Sequence, residues 1–300
     1  VIRRALLVVN PSSRRGTRDR VTAERAFRDQ GVEVDTVLTE RPGHAGEIAA
    51  ALAPGVDAVF ALGGDGTAME ILSAVGPTGR PVGVLAGGTG NLLARALGTP
   101  RDVRKAVRAL VRGTERRIDL GCLASGRMFA VAAGVGLDVT MLERTTARAK
   151  RRFGVMAYAA AAARATLAAD RFALQATVDG RSATFDASSA FVANFGTMLN
   201  GSLTLGPDIS PTDGMLDLCV FTPKRILQTL WIGWRMRRAR FAGSPNMHFL
   251  RGKSFTLETD PPRMTQADGE LLGPTPLSCT VQPLAARLLV AYAPEGGRAH

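Results

Sequence analysis

Over the first hundred or so residues, short apolar runs alternate with longer stretches of helical spacing. Ala5-Leu6-Leu7-Val8-Val9 is uninterrupted, as in a strand covered on both faces of a parallel sheet. A polar stretch over 17–30 follows, with Val21, Ala26 and Phe27 turned inward, which predicts a helix. A second strand over 32–38, a short helix ending near 53, a third strand over 57–61 and a helix over 68–75 continue the series. Strand 81–86 and helices over 91–97 and 101–112 complete it. This alternation predicts an α/β domain with a doubly wound, mostly parallel sheet.

Beyond Glu115 the period shortens. Strands over 117–123 and 127–133 flank Ala124-Ser125-Gly126, and strands over 172–178 and 182–185 flank Asp179-Gly180-Arg181, both hairpin signals. Further strands fall at 190–195, 215–221, 254–257, 277–281 and 287–291, so an antiparallel β-sandwich is expected. Two helices interrupt it. One, over 139–168, is alanine-rich with a basic cluster of Arg148, Lys150, Arg151 and Arg152. The other, over 224–241, carries Leu227, Leu230, Trp231 and Trp234 on one face and Arg235, Arg237, Arg238 and Arg240 at its end. Such a helix either lies on an anionic membrane or packs its apolar face on the sandwich, with the arginines solvated at its C-terminus. The expected domains are 1–121 and 122–300, the final segment packing back on the first.

The predicted third strand runs into Leu62-Gly63-Gly64-Asp65-Gly66-Thr67, and the fourth into Gly87-Gly88-Thr89-Gly90-Asn91; each turn opens a helix. Glycines let a phosphate approach the backbone, and the free amides of a helix start favour an anion. Thr67 is then a cap or a phosphate ligand. Ser12, Ser13, Thr39, Asp65, Thr67 and Thr89 converge on the carboxyl edge of the sheet, where open α/β folds bind ligands. Gly-x-x-x-x-Gly-Lys-Ser/Thr is missing, as is Gly-x-Gly-x-x-Gly after the first strand, which excludes the usual P-loop and dinucleotide patterns.

A net charge of +12 and a pI near 10.9 point to anionic company: nucleic acid, anionic membrane or nucleotide phosphate. Lys105, Lys150, Lys224 and Lys253 are the only lysines; the rest of the basic charge is arginine. Cys122, Cys219 and Cys279 read as buried free thiols in a reducing compartment. No run of eighteen apolar residues and no signal peptide is visible, so a soluble or peripheral, cytoplasmic protein is expected. The first residue, Val1, fits a processed or cropped start. His44, His248 and His300 have no metal-ligand spacing.

Six motifs in succession resemble the diacylglycerol kinase and sphingosine kinase superfamily, and the bacterial soluble lipid kinases in particular. They are Asn10-Pro11-Ser12-Ser13, Gly63-Gly64-Asp65-Gly66-Thr67, Gly87-Gly88-Thr89-Gly90-Asn91, Gly134-Val135-Gly136-Leu137-Asp138, Asp213-Gly214-Met215-Leu216-Asp217 and Asp268-Gly269-Glu270. The resemblance implies a nucleotide-binding α/β domain, a β-sandwich, and an active site in the cleft between them. It implies ATP-binding positions at Asn10, Pro11, Ser12, Ser13, Arg14, Thr39, Gly63, Gly64, Asp65, Gly66, Thr67 and Thr89. It also implies a magnesium site from the carbonyls of Ser210 and Met215 with the carboxylate of Asp213. Glu270 matches the proton acceptor, with Asp268 beside it, while Asp65 is the suspected base in the sphingosine kinase branch.

Two departures stand out. Ser12-Ser13-Arg14-Arg15-Gly16 delays the glycine that often follows Asn-Pro, and Asn194-Phe195-Gly196-Thr197-Met198-Leu199-Asn200-Gly201-Ser202 replaces a glycine triplet. The expected activity is an ATP- and Mg2+-dependent transfer to a primary hydroxyl of a diacylglycerol-like lipid. Alternatives are a sphingoid-base or other lipid kinase, an NAD kinase, and a non-catalytic lipid-binding regulator. The expected partners are the lipid substrate, an anionic membrane surface and a second copy of the chain; nucleic acid is not expected.

Overall fold

The computed structural model describes residues 2–76, 79–136, 171–198 and 203–291. The helix expected over 139–168, its basic cluster, Leu137, Asp138, the segment 199–202 and His300 lie outside them. The chain divides into two compact units, Val1–Ile118 with Leu284–His300, and Asp119–Pro283.

In the first unit the elements are β1 (Arg4–Val9), α1 (Gly16–Asp29), β2 (Glu33–Leu38), α2 (His44–Leu52), β3 (Ala58–Gly63), α3 (Asp65–Val75), β4 (Val82–Ala86), α4 (Leu92–Ala96) and α5 (Val103–Val111). The strands run parallel in the order β2-β1-β3-β4. Beyond β4 the sheet takes up the end of the chain, with Leu288 opposite Val82 and parallel to it. Alternation explains the unbroken apolar run of β1. Ala5, Leu7 and Val9 join Phe27 of α1, Val107 and Leu110 of α5 and Leu289 in one core. Leu6 and Val8, on the opposite face, are buried as completely. Burying such a side chain contributes about 1.5–3 kcal/mol, so from Ala5 to Val9 a polar residue is excluded on either face, while Arg4 at the strand's start stays exposed. Phe27 and Phe60 meet edge to face at 4.7 Å. Val21, expected inward, is exposed; Ala23 takes that face.

The strands of the second unit are β5 (Thr114–Leu123, which begins in the first), β6 (Met128–Phe129), β7 (Ala132–Val135), β8 (Phe172–Val178), β9 (Arg181–Ala187), β10 (Ser189–Ala193), β11 (Thr197–Met198) and β12 (Leu203–Thr204). After them come β13 (Leu216–Phe221), α6 (Ile226–Arg237), β14 (Met247–Gly252), β15 (Ser254–Asp260), β16 (Met264–Ala267), β17 (Glu270–Pro274) and β18 (Leu277–Val290). One antiparallel sheet runs β14-β13-β10-β7-β16-β17. In another, β15 lies between β8 and the first part of β18, with β9 on the far side of β8. Their inner faces share one core: Leu174, Ala176 and Val178 from β8 meet Leu216, Leu218 and Val220 from β13. This is the expected antiparallel layer arrangement.

The outer face of the β10–β13 pair is also apolar. Phe191, Cys219 and Phe221 are covered by Leu205, Ile232 and Met247, so α6 sits there by its Ile232 side. Cys219 and Cys279 are buried free thiols, whereas Cys122 is only partly buried. Burial pushes the Cys279 thiol up to about 12. The strands expected at 277–281 and 287–291 are one strand, running through Leu284 at φ +50°. The strand expected over 127–133 is instead broken between β6 and β7.

Candidate phosphate-binding and phosphoryl-transfer residues

In the first unit, β1, β3 and β4 each end in a loop on the carboxyl edge of the sheet. Asn10 links the first loop to the second. Its amide donates to the Leu62 carbonyl (3.0 Å), its Nδ2 donates to Thr67 Oγ1 (3.2 Å), and its Oδ1 accepts the Ser12 amide (2.9 Å). The Ser13 hydroxyl donates to the Asn10 carbonyl (2.8 Å), so its one proton is already engaged within the loop. Gly87 links the second loop to the third: its amide donates to Gly63 O, and its carbonyl accepts the Arg15 amide, both at 2.9 Å. A Cβ on Gly88 would lie 2.6 Å from the Gly64 Cα, so two glycines are needed for the loops to touch.

Asp65 and Asn91 complete this arrangement. Asp65 Oδ1 accepts the Leu93 amide (3.1 Å), so the carboxylate of one glycine turn caps the helix that leaves the other. Burial pushes the Asp65 carboxyl above its ordinary range, and the amides of Leu92, Leu93 and Asn91 with the Arg95 charge pull the other way. Asn91, at φ +51°, closes a ring on Gly88 with Nδ2 and Oδ1 (2.8 and 2.9 Å). No side chain caps the start of α3, and a helix start without a cap leaves its first amides for an outside acceptor. Those amides belong to Asp65, Gly66 and Thr67. Thr67 is thus inside the first helical turn rather than before it. Thr39 is buried at the end of β2, its amide on the Val9 carbonyl (2.9 Å). Pro11, Ser12, Arg14 and Thr89 are exposed around the loops. Arg15, by contrast, is braced on Asp19 (2.9 Å) and on the Arg101 carbonyl (3.2 Å).

In the second unit, Asp268 and Gly269 form the two-residue turn between β16 and β17, with φ +47° and +83° and Ala267 opposite Glu270. The Asp268 carboxylate accepts three backbone amides, from Ala130 (2.7 Å), Val131 (2.8 Å) and Ala132 (3.1 Å). This explains the break between β6 and β7: those amides bind a side chain instead of a neighbouring strand. Glu270 is half exposed and ion-paired with Arg127. The Ser210–Met215 segment offers backbone carbonyls, two hydroxyls and one carboxylate. Ser210 Oγ pairs with Thr212 Oγ1 (3.1 Å), Asp213 Oδ1 accepts the Met215 amide (3.1 Å), and Asp213 Oδ2 stands 3.6 Å from Arg251. Arg251 is itself engaged by Asp217 at 2.9 Å. Burial raises the Asp217 carboxyl and Arg251 opposes that. One carboxylate with backbone carbonyls suits a hard cation that keeps several waters. Among the described residues no three acidic, His or Cys side chains gather as a metal cluster.

Two fully buried residues that the motifs omit tie these segments together. Asn194 Nδ2 donates to the carbonyls of Asp119 (2.7 Å) and Ala130 (2.8 Å), and Asp119 Oδ2 accepts the Gly214 amide (2.7 Å). Their sequence signal is a lone polar residue in an apolar strand. Glu70 is a third omission, accepting the Gly43 and Ala45 amides at the start of α2 (2.9 and 3.1 Å). Gly134 and Gly136 serve packing: a Cβ would lie 2.2 Å from the Ala190 carbonyl and 2.5 Å from that of Ser188.

The family of the diacylglycerol kinase catalytic domain matches residues 4–123, and the YegS C-terminal NAD kinase beta sandwich-like domain matches residues 130–290. A Bacillus subtilis diacylglycerol kinase is 28% identical over 283 residues, 92% of each chain. An uncharacterized Synechocystis protein is 30% identical over 229 residues, 75% of this chain; the match spans about half of that protein's length, 53%. A crystal structure of a diacylglycerol kinase from Bacillus anthracis shares the fold, with a TM-score of 0.74 at 21% identity over 98% of both chains.

Proposed function

The chain belongs to the bacterial lipid kinase family that joins a diacylglycerol kinase catalytic domain to a YegS C-terminal domain, and from that premise we propose that it transfers the γ-phosphoryl group of ATP to a primary hydroxyl of a diacylglycerol-like lipid. The observation that carries this reading is the backbone-to-backbone locking of the three loops around the uncapped start of α3. Such a cradle meets a polyphosphate with amides and the helix dipole. Gly63, Gly64, Gly66 and Thr67 contribute backbone to it, Asn10 and Thr39 hold its shape, and Arg14, Ser12 and Thr89 stand free to reach phosphate oxygens.

Phosphoryl transfer asks little covalent chemistry of a protein: it needs placement, charge neutralisation and a group to take the hydroxyl proton. Glu270 is the proton acceptor in this reading, half exposed and held in place by Arg127. Asp268, occupied by three amides, positions Glu270 by fixing the turn before it. Ser210, Asp213 and Met215 hold Mg2+, which when bound neutralises triphosphate charge. In this reading the protein works at a membrane surface on the side where ATP is supplied. Among the described residues no helix is long and apolar enough to cross a bilayer.

Incubation with γ-labelled ATP, Mg2+ and a lipid extract, followed by thin-layer chromatography, tests this. The expected product is a chloroform-soluble phospholipid that comigrates with phosphatidic acid. Because the second domain's family is described by likeness to NAD kinase, NAD belongs in a parallel reaction. Label in NADP alone would replace the lipid reading, label in a phosphorylated sphingoid base would move the acceptor, and no label in any product would favour a lipid-binding regulator.

A further inference from the structure

Helix α6 is attached to its unit by the wrong side for an ordinary amphipathic helix. Ile232 is its only buried residue, and Met236 packs partly on the same cluster. The apolar stripe faces water: Leu227 is 73% exposed, Leu230 38%, Trp231 50% and Trp234 38%. These positions are spaced i, i+3, i+4, i+7, so they form one continuous face. The two indoles stack at 4.6 Å with an interplanar angle of 13°. Arg238 and Arg240 each place a guanidinium 5.9 Å from the Trp234 ring. A groove of about 580 Å³ runs between Pro207, the two tryptophans, Arg235, Arg240 and Phe241. Residues 218–257 contain eight arginines and lysines and no acidic residue.

We propose that this face of α6 docks the protein on an anionic lipid bilayer, with Leu227, Leu230, Trp231 and Trp234 in the headgroup boundary and the exposed Arg237, Arg238 and Arg240 on lipid phosphates. The choice of a bilayer rests on the lipid-kinase reading, and three observations favour it over other occupants. A second copy would set two strongly basic faces against each other across a two-fold axis. A nucleic acid would satisfy the arginines but leave Leu227 and Leu230 in water. An interface between water and acyl chains takes all of these groups at once, since tryptophan belongs at that depth and arginine snorkels to the phosphates.

Both tryptophans of the chain lie on this face, so tryptophan emission of the full protein, excited at wavelengths where the two tyrosines do not absorb, reports the patch alone. With vesicles of phosphatidylcholine and phosphatidylglycerol, the emission shifts to the blue and is quenched by brominated acyl chains. With phosphatidylcholine alone both effects are much weaker, and added salt reverses them. Arg238→Ala and Arg240→Ala each lower vesicle affinity about fivefold, and Trp231→Ala/Trp234→Ala abolishes co-sedimentation. Vesicle binding with unchanged emission overturns the assignment to α6; so does equal binding to neutral vesicles. A concentration-dependent blue shift without lipid overturns it in favour of a second copy. Turnover of a short-chain diacylglycerol in detergent is measured alongside. Turnover without docking removes this inference alone, whereas docking without turnover on any lipid removes the kinase reading and leaves the surface standing.

Discussion

Asp65 and Glu270 are both candidates to take a proton, and their surroundings separate them. Asp65 caps α4 and is partly buried; Glu270 is half exposed beside Arg127. Glu270→Gln keeps the size and loses the base, so kcat should fall about 10²- to 10⁴-fold while the stabilisation by ATP in a thermal melt is retained. Arg127→Met leaves the carboxylate but frees it to wander, so its loss of kcat should be smaller. For Asp65 the fold raises the pKa. Its contribution to stability is therefore fully present below the unfolded-state pKa and is lost as pH rises through the higher folded value. Asp65→Asn should melt no lower than the parent at neutral pH, and any advantage should close as pH falls through the carboxylate range. If Asp65→Asn loses turnover at unchanged ATP affinity while Glu270→Gln stays active, the base is Asp65.

At the scale of elements, the three loops around α3 behave as one piece. Gly88→Ala drives a methyl against the Gly64 Cα, and overpacking of this kind costs about 1–3 kcal/mol; it should also remove most of the rise in Tm that ATP and Mg2+ produce. Gly55→Ala has open space and an ordinary φ, and should stabilise by about 0.4–1 kcal/mol without touching ATP. Thr67→Val breaks the bond from Asn10 and should weaken the ATP effect more than His44→Ala, whose ring accepts only the Glu40 amide. β1, β3 and β4 were legible because both faces are buried and the apolar runs are unbroken; β2, at the sheet edge, is only partly covered. β14, β16 and β17 were not, because Met247-His248-Phe249-Leu250-Arg251-Gly252 and its neighbours mix exposed and covered positions without a clean period. The stripe on α6 was legible as a stripe. Which side of the helix is covered depends on Phe191, Cys219 and Phe221 beneath it, and no local pattern contains them. The same holds for Asp119 and Asn194, whose partners are 64 to 95 residues away.

At the scale of the whole molecule, the last strand belongs to both units. β18 pairs with β15 through Leu277–Thr280, leaves the second unit at Pro283 and completes the first. There Arg287 pairs with Glu115 at 2.6 Å and donates to the Gly79 carbonyl at 3.0 Å, and Leu289 enters the core. A chain ended at residue 283 keeps every glycine turn, yet should lose cooperative melting of the first unit and its response to ATP, as read by calorimetry. Chain order then has a consequence for biogenesis. Residues 1–118 leave the ribosome first, but β4 has no partner on its outer side until Leu288 emerges, and at about 5–20 residues per second that delay is roughly 10–30 s. For that interval the nascent first unit presents an open strand edge, a template for pairing with other chains, and it is the stage of synthesis at which a chaperone has most to protect.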